Sequence, residues 1–79
     1  MNVKEEVIKI ISNHLGVDPE EITPDSYLQD DLNSDPLSMA DLVISLEDHF
    51  KIAIPSEETL KFTKVSDIIE YVADKIGEV

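Results

Sequence analysis

Apolar residues recur along this chain at steps of three and four, a spacing that suits helices and argues against strands. From Val3 to Leu15 they fall at Val3, Val7, Ile8, Ile10, Ile11 and Leu15, with Lys and Glu between them, as an amphipathic helix requires. Gly16 follows as its C-terminal cap. A second helix is predicted from Pro36 to Phe50. Asp35 supplies the N-capping carboxylate, and proline suits the first helical position because no amide partner is needed there. Met39, Leu42, Val43, Leu46 and Phe50 form its inward stripe, whereas Leu37, Ala40 and Ile44 drift toward the edge.

The remainder of the chain completes a helical domain. Ser56-Glu57-Glu58 caps a short helix through Lys61, with Leu60 and Phe62 supplying buried contacts. The last helix takes Thr63 as N-cap, turns Val65, Ile68, Ile69, Val72 and Ile76 inward, and ends near Gly77. Residues 17–35 hold Pro19, Pro24 and repeated Asp, Ser and Thr. They read as a long ordered loop anchored by Val17, Ile22, Tyr27, Leu28 and Leu32, and such length hints at function. Alternating strand patterns, repeats and linkers are missing, and Ile52-Ala53-Ile54 is too short to imply a sheet. The expected fold is all-α: one domain over 1–79, a four-helix bundle with a long loop between helices one and two and a short third helix.

Composition narrows the function. A chain of 79 residues buries one modest core, and without cysteine it has no disulfide, thiolate nucleophile or sulfur-ligated zinc. The opening residues lack the layout of a signal peptide and no stretch is long and apolar enough for a membrane span, so the expectation is a cytoplasmic protein. Eighteen acids against six lysines give a net charge of −12, which repels nucleic acid and anionic lipid and favours basic protein surfaces. Ten of the acids, and no Lys or Arg, lie between Ile10 and Phe50.

Catalytic and metal-binding readings fail on residue type and spacing. His14 and His49 are isolated and read as helix-end residues. Paired carboxylates are expected in so acidic a chain, and the chain is too short to wall off a dry cleft, so no enzyme is expected. Asp31-Leu32-Asn33-Ser34-Asp35 begins like a calcium loop, but position six is Pro36 in place of glycine and position twelve is Leu42 in place of glutamate. No specific metal site is expected.

The segment from Asp30 through Asp35-Pro36-Leu37-Ser38 to Phe50 resembles the second helix of acyl carrier protein and its approach. Leu15-Gly16-Val17, Glu20-Glu21-Ile22-Thr23, Ile54-Pro55 and the stretch from Val65 to Val72 extend that resemblance over nearly the whole chain without a gap. The resemblance implies a carrier of acyl thioesters on a phosphopantetheine arm, held by the serine of an Asp-Ser-Leu motif. Here the motif reads Asp35-Pro36-Leu37. Proline has no hydroxyl with which to form the phosphodiester, so no cofactor is expected at Pro36.

Alternative attachment points are Ser38 and Ser34. Ser38 lies roughly 200° around the helix axis from Pro36, and Ser34 precedes the helix without a following leucine. The resemblance further implies partner contacts by Asp35, Asp41, Glu47 and Asp48 through charge, and by Leu37, Ala40 and Ile44 through apolar surface. It also implies an acyl pocket lined by Leu46, Ile54, Leu60, Phe62 and Ile68, residues that serve equally as core. The leading expectation is a monomeric interaction module without the arm, docking on basic surfaces of acyl-chain-processing enzymes. The alternatives are a working carrier in fatty acid or polyketide biosynthesis modified at Ser38 or Ser34, and Pro36 standing in for a natural serine.

Overall fold

The computed structural model describes residues 2–77; Met1, Glu78 and Val79, which the one-domain reading over 1–79 includes, lie outside the described residues. The elements are α1 (Val3–Leu15), a 3-10 turn (Pro19–Glu21), α2 (Pro36–Phe50), α3 (Ser56–Thr59) and α4 (Val65–Ile76). No β-strand longer than a single bridge pair occurs among the described residues. The all-α reading with its short third helix therefore holds.

Local chemistry sets the helix ends. Asn2 Oδ1 accepts the Glu5 amide at 3.1 Å, and Gly16 closes α1 in the left-handed conformation at φ 68°. Asp35 Oδ1 accepts the Ser38 amide at 2.7 Å ahead of Pro36 at the first turn of α2. At the other end Lys51 takes φ 57°, a conformation that glycine adopts more cheaply, and its amide donates to the Glu47 carbonyl. The Glu47 carboxylate then accepts the Ile54 amide at 2.7 Å, so one residue folds the following loop back onto the helix.

Two helix boundaries differ from expectation. Thr63 is not the N-cap of α4; Lys64 occupies that position and Val65 is the first helical residue. The cause is Asp67, whose Oδ2 accepts the amides of both Thr63 and Lys64 at 2.9 and 3.0 Å and so satisfies the helix start from within. Thr63 instead gives its carbonyl to the Leu28 amide, beside an antiparallel bridge between Tyr27 and Lys64. The short helix also ends at Thr59 and not at Lys61. Lys61 and Phe62 close it with i→i+3 bonds to Glu58 and Thr59, and this tighter winding turns Leu60 outward, leaving it 86% exposed instead of buried. Phe62 is half-buried, edge-on to Tyr71.

The core joins three helices. Val7 and Ile11 of α1, Leu42 and Leu46 of α2, and Val65, Ile68 and Val72 of α4 are fully buried. Ile22, Leu28 and Leu32 close it from the loop as predicted, and Val17 is half-buried. Tyr27 is not an anchor; it is 41% exposed under the Lys64 ammonium, because next to Leu28 in extended backbone it must point the opposite way. Met39, Ile69 and Ile76 reach only the core's margin. Both histidines sit in last helical turns and also join α1 to α2: His14 Nε2 lies 2.6 Å from Ser45 Oγ, and His49 Nε2 lies 2.9 Å from Glu6 Oε1.

Candidate functional site

The start of α2 collects the residues that carry the functional question. Pro36 is exposed at the first helical position, with its ring on the wall of a groove. Before it, the Ser38 amide, and after that the Ser38 hydroxyl, holds the Asp35 carboxyl below the usual carboxylate range. Asp35 is thus a helix cap as well as a surface charge. Ser34 is 7% exposed, with its amide on the Leu28 carbonyl, and Ser38 is half-buried beside Asp35. Neither serine occupies the open position that Pro36 holds.

Beyond this start, α2 shows solvent a mixed face. Leu37 and Ile44 are 72% and 62% exposed, and Ala40 is exposed between them. Asp41 and Asp48 lie along one side of this strip, Asp48 making a loose pair with Lys51 at 3.7 Å between two well-exposed side chains, which contributes little to stability. Glu47 differs from them: it is half-buried and committed to the Ile54 amide. Of the acids that sequence reasoning groups together, the structure leaves Asp41 and Asp48 on the outer face, Asp35 at the cap and Glu47 in the loop staple.

A groove of about 460 Å³ opens beside Pro36, between residues 27–35 of the loop, the first turn of α2 and residues 59–63. Its apolar walls are Tyr27, Leu28, Met39, Ala40, Leu60 and Phe62. Among the five pocket candidates, Leu60 and Phe62 line it, whereas Leu46, Ile54 and Ile68 are buried in the core and do not. Tyr27, Leu28 and Met39 escape sequence reasoning as groove residues, because the backbone bond joining Leu28 to Thr63 spans thirty-five residues and leaves no pattern in the sequence. Asp30 and Asp35 are the charged lining residues; no Lys, Arg or His lines the groove among the described residues.

The calcium-like segment spends its oxygens on backbone: Asp31 Oδ2 accepts the Tyr27 amide at 2.7 Å, and Asp35 caps α2. Among the described residues no cluster of three or more His, Cys, Asp or Glu could hold a metal ion. No helix among them is long and apolar enough to cross a membrane.

A four-helix domain with this capped, acidic second helix has the form of a carrier domain. Residues 5–72 match the family model described as phosphopantetheine attachment site, and the chain belongs to that family. It is 39% identical over 75 residues to an acyl carrier protein of Nitratidesulfovibrio vulgaris, covering 95% of this chain and 99% of the relative. To that of Solidesulfovibrio magneticus it is 38% identical over 78 residues, covering 99% and 100%. A solved structure of a candidate acyl carrier protein from Mycobacterium tuberculosis superposes with a TM-score of 0.86 at 33% identity, covering 91% of this chain and 96% of that one. The chain is an acyl carrier protein homologue, and acyl carrier proteins carry acyl groups for enzymes without being enzymes themselves.

Proposed function

We propose that this homologue works without an arm at residue 36, as an interaction module docking through α2 on basic surfaces of acyl-processing enzymes. The observation that carries the reading is Pro36 itself, exposed at the first turn of a well-capped helix and lacking a hydroxyl. A phosphopantetheine arm does not fit there, since its phosphodiester needs an oxygen nucleophile from the side chain. In this reading the chain acts as one monomeric domain in the cytoplasm and takes no prosthetic group. Leu37 and Ile44 contribute apolar contact, each worth ~1–2 kcal/mol if fully covered, while Asp41 and Asp48 steer the approach and set its salt dependence.

Incubation with coenzyme A and a broad-specificity phosphopantetheinyl transferase, followed by intact mass, tests the reading. The expected result is no mass gain, with a gain of one arm in Pro36→Ser. An arm on the unaltered chain would overturn it in favour of a working carrier for fatty acid or polyketide synthesis, and fragment masses would place that arm on Ser38 or Ser34.

A further inference from the structure

We propose that the groove beside Pro36 receives an apolar side chain, best an aromatic one, presented between lysines or arginines by a partner protein. The proposal deepens the arm-free reading and rests on it. The volume, about 460 Å³, is ample for the largest side chain, and the walls are mostly apolar. Leu60 stands on the wall 86% exposed, so apolar surface there is left to water until something covers it.

Charge selects the occupant. Its charged lining residues are Asp30 and Asp35, and the cation beside its wall, Lys64, is engaged on the Tyr27 ring with its ammonium 5.2 Å from the centroid. A carboxylate or phosphate headgroup meets repulsion on entering, and so does a second copy of a chain carrying −12. A side chain flanked by lysines or arginines meets attraction on both sides and finds an apolar floor in Leu28, Met39 and Phe62. Large aromatics are the usual anchors of such contacts.

The groove is continuous with the outer face of α2. At about 100° per residue, Ala40 lies between Pro36 and the Leu37–Ile44 strip, and Ala40 is itself a groove residue. A partner resting on α2 can therefore reach the groove without leaving the acidic face. Pro36 favours this entry, because its ring adds apolar wall and no polar group that would need a partner when covered.

The test is an NMR titration of the full chain with a synthetic peptide holding one tryptophan between lysine pairs. Amides of Leu28, Met39, Ala40 and Leu60 should shift, and replacing the tryptophan by alanine should weaken binding roughly tenfold. Leu60→Ser should do the same while leaving the helical spectrum unchanged, because Leu60 supports no core contact. Equal affinity for the tryptophan and alanine peptides would overturn the proposal, as would equal binding of a glutamate-flanked peptide or of dodecanoate. Shifts of the same amides with protein concentration alone would assign the groove to a second copy and overturn it too. Mass spectrometry keeps the two readings apart: an arm overturns the arm-free reading, whereas an arm-free chain whose groove ignores the tryptophan overturns this inference alone.

Discussion

The α1–α2–α4 side of the molecule and the groove side, built from residues 27–36 and 56–63, are held together by different forces. On the first, seven aliphatic side chains from three helices are fully buried against one another. On the second, backbone amides and carboxylates do the holding: Leu28 to Thr63, Ser34 to Leu28, Tyr27 to Asp31, Ser38 to Asp35. Packing fills the first side, whereas hydrogen bonds span the second and leave apolar walls open between them. The contrast separates what folds this chain from what it offers to others.

The largest effect should come from breaking the packed side. Leu46→Ala empties a fully buried site in α2 and should lower stability by about 3 kcal/mol in urea unfolding, while Leu60→Ser on the groove side should stay within about 0.5 kcal/mol. If both cost the same, the two sides are not held differently.

Next in size is the division among the acids of α2. Glu47→Ala leaves the Ile54 amide unmet and should cost about 2 kcal/mol, whereas Asp41→Ala should change stability by a few tenths. Asp41→Lys should nevertheless weaken docking on a basic partner surface, and added salt should do so for the unaltered chain. Equal destabilisation by the two alanine variants would return Glu47 to the surface set.

Smaller again, and of opposite sign, is Lys51→Gly. It relieves a left-handed residue at the α2 terminus and should stabilise by about 0.5–1 kcal/mol, read as a higher thermal midpoint. The loose pair with Asp48 lost in the exchange is too exposed to offset this.

Acid should act chiefly on the hydrogen-bonded side. The amides of Lys64 and Thr63 hold the Asp67 carboxyl below its usual range, as the Ser38 amide does for Asp35. A depressed folded value means that each carboxylate adds stability above its unfolded value, and that this is lost as pH falls through the folded one. The urea midpoint should therefore drop more steeply below about pH 4 in the unaltered chain than in Asp35→Asn with Asp67→Asn. Parallel profiles would show that the two caps do not carry the acid response.

Much of the packed side is legible in the sequence, because three- and four-residue spacing names the inward residues of a helix without reference to its neighbours. Val7, Ile11, Leu42, Leu46, Ile68 and Val72 fall at that spacing and are buried. The exposed strip of Leu37, Ala40 and Ile44 came from the same geometry. Where the period stops, so does the reading. Leu60 reads as inward only on a helix two residues too long, and Thr63 reads as the cap of a helix start that Asp67 satisfies from inside α4.

By itself the sequence determined the four helices, the inward faces of α1, α2 and α4, the acidic character of α2 and the missing hydroxyl at residue 36. These depend on residue type and short-range spacing, which the chain carries at every point along its length. Only the tertiary structure decided that Glu47 is tied to the loop while Asp41 is free, and that Leu60 and Tyr27 share one groove with Pro36. Those facts depend on which distant backbone groups meet, and in α3 on a single tightened turn that rotates a leucine out of the core.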